Sequence, residues 1–276
     1  MNLIELTDDE FDLYLALIYR VAGIRIAETK RVLVSNRVRR RLRATGIETF
    51  AAYYAFLTSA KGAGEMPAFL DAVTTNETYF FRDQVHYDWV GGEFLDAMIA
   101  EAAARRRPRS LRIWSAACST GEEPYSIAIK LADRRAELLG WRLSVLGTDI
   151  SGAALDVARA GVYEERALQR VDAETRKKRF DAAPDGKRWT VKADVRAPVS
   201  FQSHNLLKPL GAEPFDCVFI KNVLIYFDAA SKQTVVDLAL RSIAKGGVLV
   251  TGPTEGIHGM LGSLDRLKPW LYRRTA

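Results

Sequence analysis

One change in the periodicity of apolar residues constrains the fold of this chain more than any other feature of its sequence. From about Leu111 onward, apolar runs of strand length alternate with amphipathic helical segments. Strands that alternate with helices form parallel sheets through right-handed crossovers, with helices covering both faces. The sequence therefore predicts a doubly wound α/β sheet. The expected strands are residues 111–117, 143–149, 215–220 and 247–251, with a last one near 270–273.

Residues 1–85 carry a different pattern, in which apolar positions recur at helical spacing and no strand-like alternation interrupts them. The run from Thr7 to Glu10 fits a capping box at the start of a helix. Gly46 suits the stop after a second helix. The expected helices are a first one after Thr7, a second at about 28–45, and shorter ones at about 50–58 and 66–74.

These patterns predict an all-helical N-terminal domain, residues 1–85, with a junction segment at 74–90, and an α/β domain, residues 91–276. One stretch of the α/β part, about 165–200, is richer in charge and contains the sequence Pro184-Asp185-Gly186 before a short alternating run. Turn residues beside such runs are typical of hairpins. We therefore expect a small antiparallel β insertion there.

Composition and net charge limit the compartment, the partners and the metal ions that can be expected for this protein. The 276 residues are 48% hydrophobic, enough for a full core, yet no apolar run approaches the roughly 18 to 20 residues that span a bilayer. No signal-peptide pattern is present either, so the cytoplasm is the expected compartment. The net charge of +6 favours an acidic partner. The two cysteines are interpreted as buried small residues, and the three histidines lack metal-ligand spacing, so no metal is expected.

The loops after the strands are the candidate site, because ligands of such sheets bind beyond the carboxyl ends of the strands. The first loop consists of small residues and leads, through Glu122 and Glu123, into a helix expected to begin at Pro124. Two carboxylates at a helix N-terminus repel a phosphate. S-adenosylmethionine carries an ammonium and a sulfonium but no phosphate and fits that charge, although the same acids could simply complement the helix dipole. After the second strand, Asp149 could accept both ribose hydroxyls of an adenosine or cap the next helix.

Two further segments carry unusual chemistry. Residues 221–227 follow the third strand and offer a cation, an amide and a phenol, although aromatic residues there are also typical of a core. Residues 74–82 join the two domains and are dense in polar and aromatic side chains. Such a segment suits a lid over a pocket, or a linker packed by its aromatic residues.

The second helix carries seven basic residues and no acid between Lys30 and Arg43. Apolar residues at four-residue spacing give it one stripe that should be buried. A charged face opposite such a stripe is often only solvated, but the absence of acids favours docking to an acidic surface. The expected buried stripe is Val34, Val38 and Leu42.

Three motifs together resemble the CheR family of chemotaxis receptor methyltransferases. They are TTNETYFFR at 74–82, STGEEPYS at 119–126 and NVLIYF at 222–227. They occur in the family's order, and the likeness covers nearly the whole chain. The basic second helix and the β insertion also fall where the family has them.

The resemblance implies a receptor-docking helical domain followed by a class I methyltransferase domain that binds S-adenosylmethionine. It implies methyl transfer to glutamate side chains of chemoreceptors, which gives methyl esters for sensory adaptation and S-adenosylhomocysteine as product. By matched position, the cofactor-binding residues are Asn76, Thr78, Arg82, Glu123, Asp149, Asn205, Leu206, Lys221 and Asn222. The residues expected to act in catalysis are Arg82 and Tyr226, and those expected to dock the substrate are Arg37, Arg40 and Arg43.

The implied partner is the cytoplasmic helical region of bacterial chemoreceptors, met in membrane-bound arrays without insertion into the membrane. The chain is expected to act as a monomer and without nucleic acid. Lys221 stands where the family usually has arginine, which preserves charge but loses bidentate bonding. Two alternatives stay open: a non-catalytic signalling module that binds S-adenosylmethionine or S-adenosylhomocysteine, and a nucleic-acid methyltransferase. The sequence contains no Asn-Pro-Pro-Tyr or Asp-Pro-Pro-Tyr motif that would support the nucleic-acid methyltransferase.

Overall fold

The computed structural model of the chain describes residues 5–275. Helices are the regular elements of its first part, up to Val73. The predicted second helix is divided, because Glu28–Lys30 forms a 3-10 turn before the α-helix begins. The helices are α1 (Asp8–Ala22), α2 (Arg31–Thr45), α3 (Phe50–Leu57) and α4 (Met66–Val73).

The ends of the first two helices confirm the predicted stop and start signals. The Thr7 hydroxyl accepts from the Glu10 amide at 3.2 Å, and the Glu10 carboxylate accepts from the Thr7 amide at 2.9 Å, which is the reciprocal pairing of a capping box. Helices α1 and α2 both end at a left-handed glycine, Gly23 with φ 71° and Gly46 with φ 72°. Glycine adopts this conformation without the steric cost of a Cβ atom.

The helical part has its own aromatic core. Tyr14, Phe50 and Phe69 are fully buried, and the Tyr14 hydroxyl donates to the Phe50 carbonyl at 2.8 Å. The predicted stripe of α2 is confirmed, because each of its three residues is buried against this core: Val34, Val38 and Leu42.

The rest of the chain forms two sheets. Seven strands make the main sheet in the order β6-β2-β1-β7-β8-β10-β9, and three make a small antiparallel sheet in the order β3-β5-β4. The strands are β1 (Ser110–Ala116), β2 (Arg142–Asp149), β3 (Val162–Glu164), β4 (Phe180–Ala182), β5 (Arg188–Val191), β6 (Val199–Ser203), β7 (Phe215–Ile220), β8 (Ile243–Thr251), β9 (Asp265–Lys268) and β10 (Leu271–Arg273).

Five strands of the main sheet, β6 through β8, are parallel, and the last two are antiparallel. Helices cover both faces, since Ile113 belongs to one core cluster and its neighbour Trp114 to the other. Because the chain runs outward from β1 to β6 and then returns to β7, the strand order reverses between β1 and β7. That reversal is the topological switch point of a doubly wound sheet, where ligands bind. The predicted fold class is confirmed.

One strand of the main sheet is absent from the expected strands. Val199–Ser203, at the end of the expected insertion of about 165–200, forms β6, an edge strand that pairs in parallel with β2. Its sequence alternates apolar and polar residues, since one side of the strand faces solvent, and it therefore lacks the continuous apolar run of the central strands. The insertion is also larger than a two-stranded ribbon, because β3 joins the hairpin of β4 and β5.

Seven further α-helices lie within residues 5–275. Ser151 caps α8 by accepting from the Ala154 amide at 3.2 Å. No helix within residues 5–275 combines the length and apolar character needed to cross a membrane. The helices are α5 (Gln84–Trp89), α6 (Leu95–Ala103), α7 (Glu122–Asp133), α8 (Gly152–Ala160), α9 (Ala173–Arg179), α10 (Ala193–Arg196) and α11 (Ala229–Ser242).

The helical part packs directly on the carboxyl edge of the main sheet. The Asp71 carboxylate of α4 accepts from the Ala153 amide at the start of α8, at 3.3 Å from both oxygens. On the other side, the Arg25 amide donates to the Tyr226 carbonyl at 2.7 Å. These contacts hold α1, α2 and α4 beside the loops that follow β2 and β7.

Candidate functional site

Asp149 joins the loops that follow β1 and β2. One carboxylate oxygen accepts from the Ser119 amide at 2.8 Å and the other from the Ser151 amide at 2.9 Å. Burial raises the pKa of Asp149, while these backbone donors oppose that rise. Each carboxylate oxygen keeps a second lone pair for a ligand hydroxyl. Asp149 therefore organises both loops and can still bind a ribose.

The first loop brings backbone close to the strand ends. Ala117 and Ser119 adopt left-handed conformations with φ 56° and 52°, which cost energy for residues that carry a Cβ. A Cβ at Gly147 would lie 2.8 Å from the Phe201 ring and 2.9 Å from the Cys118 sulfur, so only glycine fits there. The buried Ser119 hydroxyl has no hydrogen-bond partner within residues 5–275. A hydroxyl in that state suits a polar ligand.

A buried ion cluster lies where β1 and β7 end. The Lys221 ammonium, on a side chain only 1% exposed, is 3.4 Å from the carboxylates of both Asp83 and Glu123. It also donates to the Arg82 carbonyl at 2.9 Å and lies over the Tyr87 ring. Two carboxylates and one ammonium leave a net charge of −1, which favours a cationic ligand over an anionic one.

The junction segment contacts two places on the carboxyl edge of the main sheet, one beside Asp149 and the other at the ion cluster. At one end, the Asn76 amide donates to the Ser151 hydroxyl at 3.3 Å, beside Asp149. At the other end, Phe81 and Asp83 have φ values of 57° and 63°, so the chain is held in a strained turn at the ion cluster. The structure thus brings the predicted residues of the junction against those of the strand loops.

The predicted residues of the junction differ in how they are engaged. Thr78 and Arg82 are half-buried. The Arg82 guanidinium donates to the Glu77 carbonyl at 3.1 Å and lies over the Tyr79 ring, 5.9 Å from its centroid.

The segment after β6 carries Asn205 and Leu206. The Asn205 amide donates to the Val21 carbonyl at 2.7 Å and its oxygen accepts from the Leu207 amide at 3.0 Å. This side chain is therefore engaged in holding the helical part, and a contact from Asn205 to a ligand would come from its backbone. Leu206 is buried in one of the two core clusters that cover the faces of the main sheet.

The loop after β7 places Asn222 and Tyr226 at the surface of the site. Asn222 has a left-handed φ of 57°. Tyr226 ends a short 3-10 turn and remains 36% exposed. Burial lowers the pKa of the Arg37 guanidinium, the positive charge of Arg40 lowers it further, and the phenol of Tyr226 opposes this decrease. Tyr226 and Arg40 therefore both lie near Arg37. The loop and helix α2 are therefore neighbours.

Four of the basic residues of α2 fall into two groups. Arg41 forms a bidentate pair with Glu65 at 2.7 and 3.0 Å, and Arg31 pairs with Asp8, so both stabilise the helical part. Arg40 and Arg43 are exposed and make no hydrogen bond or ion pair with the described residues 5–275.

Arg37 belongs to neither group. It is half-buried and donates to the Thr75 hydroxyl at 3.2 Å and to the Val73 carbonyl, which ties α2 to the junction segment. The charge that remains available on α2 is thus concentrated at Arg40 and Arg43, beside the loop that carries Tyr226.

Sequence reasoning missed three residues of this site: Asp83, Ser119 as a ligand-facing hydroxyl, and Glu255. The missed acid Glu255 lies four residues after β8 and accepts from the Asn222 and Leu224 amides. The rule that the loops after parallel strands carry the site would have found it, had it been applied to the fourth strand as well. Within residues 5–275, no cluster of three or more His, Cys, Asp or Glu side chains has the arrangement of a metal site.

The doubly wound sheet, its first loop of small residues and its anionic edge are those of an S-adenosylmethionine-dependent methyltransferase. Residues 76–268 match the family described as CheR methyltransferase, SAM binding domain, and residues 9–74 match CheR methyltransferase, all-alpha domain. The chain belongs to the CheR methyltransferase family.

Curated relatives agree over most of the chain. The chemotaxis protein methyltransferase of Salmonella typhimurium is 36% identical over 260 residues, which cover 93% of this chain and 86% of the relative. That of Borreliella burgdorferi is 31% identical and covers 99% and 96%, respectively. That of Klebsiella aerogenes is 38% identical and covers 91% and 84%.

Proposed function

We propose that this protein transfers the methyl group of S-adenosylmethionine to glutamate carboxylates in the cytoplasmic helical region of chemoreceptors. The observation that carries the proposal is the juxtaposition of an anionic cofactor edge, centred on Glu123 and Asp149, with the free cationic charge of α2. Its relatives in Salmonella typhimurium and Borreliella burgdorferi are named chemotaxis protein methyltransferases. The esters formed would serve sensory adaptation.

The residues around the anionic edge fit the cofactor. Asp149 has lone pairs for the ribose hydroxyls, and the carboxylates of Glu123 and Asp83 suit the ammonium of the methionine part. The residues assigned to hold the cofactor are Asn76, Thr78, Arg82, Glu123, Asp149, Asn205, Leu206, Lys221 and Asn222. When bound, S-adenosylmethionine supplies an electrophilic methyl group on a sulfonium.

Catalysis in this proposal is chiefly positioning. A glutamate side chain is ionised at neutral pH, so its carboxylate attacks without a general base. Arg82 orients and partly screens the carboxylate, and Tyr226 donates a hydrogen bond near the reacting atoms. Alignment at near-attack distance with exclusion of water supplies up to roughly 7 to 11 kcal/mol. Neither residue carries a proton through the reaction.

The acceptor is distinguished by one assay. The protein is incubated with methyl-labelled cofactor and either a receptor cytoplasmic fragment or RNA, and alkali-labile methanol is measured. We expect methanol from the receptor fragment alone, because carboxyl methyl esters hydrolyse in alkali. Tight S-adenosylhomocysteine binding without transfer to either acceptor would instead establish a binding module, and label in RNA would establish a nucleic-acid enzyme.

The receptor-docking surface is proposed to be Arg37, Arg40 and Arg43, the first through its place at the junction. Reversing the two exposed charges, Arg40→Glu with Arg43→Glu, should raise the KM for the receptor fragment about tenfold and leave kcat nearly unchanged, since each exposed charge contributes up to about 1 kcal/mol. Added salt should diminish the difference, because it screens exposed charges.

The matched control is a double reversal at the opposite edge of the sheet, Arg105→Glu with Arg135→Glu, both exposed positions. It changes net charge equally and should leave KM within about twofold. Equal loss in both variants would mean that total charge matters rather than the α2 surface.

We further propose that the enzyme meets its substrate in membrane-bound receptor arrays from the cytoplasmic side, as a monomer. The free positive charge at Arg40 and Arg43 suits the acidic glutamate-bearing helices of such a receptor.

A further inference from the structure

Glu255 is a buried carboxylate that the proposed chemistry leaves unused. Its side chain is 1% exposed and lies beneath the loop that follows β7. Burial raises its pKa, while the backbone amides of Asn222, Leu224 and Val223 oppose the rise. A charged group is buried at such cost only where it makes strong hydrogen bonds.

Both oxygens of Glu255 bind the loop backbone. One accepts from the Asn222 amide and the other from the Leu224 amide, the latter at 2.8 Å. The two donors lie on either side of Val223 in the turn that starts with the left-handed Asn222. One carboxylate therefore fixes the shape of the turn that leads to Tyr226.

The loop needs this support because strand pairing ends just before it. The last pair of β7 and β8 is Ile220 with Thr251, and the Gly252 amide still donates to the Ile220 carbonyl at 3.3 Å. Beyond that point the Asn222 and Leu224 amides have no strand partner. Leaving a buried amide unpaired costs about 1 to 3 kcal/mol. The Glu255 carboxylate therefore accepts the hydrogen bonds that a neighbouring strand would otherwise accept.

The position of Glu255 is itself fixed. The Lys232 ammonium of α11 donates to the Glu255 carbonyl at 2.7 Å. A Cβ at Gly252 would lie 2.5 Å from a Glu255 carboxylate oxygen, so the glycine leaves room for it. At the far end of the same loop, the Arg25 amide holds the Tyr226 carbonyl. The loop is thus held from two sides, by the segment after β8 and by the helical part.

We propose that Glu255 is a positioning residue that sets the loop carrying Asn222 and Tyr226 in its reactive geometry. This inference rests on the proposed function for the role of those two residues. It assigns a part in methyl transfer to the segment after β8, which contributes no side chain to the ligand edge described above.

The test is Glu255→Gln, which keeps the shape but sets an NH₂ group against one of the two backbone donors. At saturating cofactor and receptor, kcat should fall at least about tenfold, because misplacement by an ångström costs up to about a hundredfold, while the KM for the receptor stays within about threefold. Gly252→Ala should reproduce the loss with the acid intact, since its methyl displaces the carboxylate.

Asp172→Ala is the stability-matched control. Asp172 caps α9 by accepting from the Thr175 amide at 2.8 Å, far from this loop in the sequence, and its loss should cost about 1 kcal/mol without changing kcat. An unchanged kcat in folded Glu255→Gln, or an equal fall in the control, would overturn the inference.

A second measurement does not depend on catalysis. Amide hydrogen exchange at Asn222 and Leu224 should accelerate at least about tenfold in Glu255→Gln, beyond any change at β7 and β8 amides that reports global stability. Unaltered exchange at these two amides would refute the positioning role whether or not the wild-type protein methylates receptors. Accelerated exchange without receptor methylation by the wild type would refute the proposed function and leave the loop support intact.

Discussion

Replacing Lys221 with methionine is expected to lower the free energy of unfolding by about 3 kcal/mol, because it leaves two carboxylates facing each other without their shared cation. The ammonium lies 3.4 Å from both Asp83 and Glu123, and the lysine side chain is 1% exposed. Methionine matches the lysine side chain up to Cε and lacks only the ammonium, so the loss reports chiefly the charge. Chemical denaturation at neutral pH measures it.

Two further variants decide the cause. Lys221→Arg keeps the charge and should cost less than about 1 kcal/mol. Adding Asp83→Asn to Lys221→Met removes one of the two unpaired carboxylates and should recover about 1 kcal/mol, a coupling expected only for groups in contact. If Lys221→Met were as stable as the wild type, the three charges would be independently solvated and the ion cluster would have no role in the fold.

The core of the fold was predictable because its strands are buried on both faces. Residues 215–220 are apolar except for Asp216, and the structure places β7 at the same residues. Helix ends were predictable where a short-range signal fixes them, as Thr7 and Gly46 do. Such signals depend on residues within one turn of each other, so the sequence displays them directly.

Features that depend on distant residues were not predictable. Strand β6 was missed because an edge strand needs no apolar run, and its pairing with β2 joins residues about fifty positions apart. Likewise, the sequence shows seven basic residues on α2 but not that Arg31 and Arg41 have acidic partners 23 and 24 positions away. Only tertiary structure separates the charges that stabilise the helical part from those left for a partner.

Prediction of the site from the sequence is limited in the same way, because side-chain contacts depend on distant residues. The motifs placed Lys221 and Glu123 near the cofactor, and the structure puts their charged groups 3.4 Å apart. The roles inferred for individual side chains remain predictions, and the side chain of Asn205 is engaged with Val21 instead of facing the ligand edge. A motif fixes which residues are near a site, whereas their hydrogen bonds depend on the packing around them.

Glu122→Gln is expected to stabilise the protein at alkaline pH and to leave it unchanged in acid. Glu122 is 3% exposed at the start of α7, and burial raises its pKa to about 7, although the Thr120 hydroxyl donates to it at 2.6 Å. Because the folded-state pKa lies above the unfolded value of about 4.3, its contribution to stability is complete below that value and is lost as pH rises through about 7.

The full shift would correspond to roughly 4 kcal/mol, but the N-terminus of α7 favours the carboxylate by up to about 1 kcal/mol, so we expect a gain of about 3 kcal/mol for Glu122→Gln at about pH 8. The control is Glu174→Gln, an exposed glutamate in the first turn of α9, which should change stability by less than about 0.5 kcal/mol at either pH. Comparing denaturant midpoints at about pH 4 and pH 8 isolates the buried carboxylate, because every other titrating group is common to both variants. A glutamine variant less stable than the wild type at alkaline pH would mean that the Glu122 carboxylate is stabilised by its helix rather than strained by burial. Since Glu122 immediately precedes Glu123, that outcome would also place a second full negative charge at the cofactor edge.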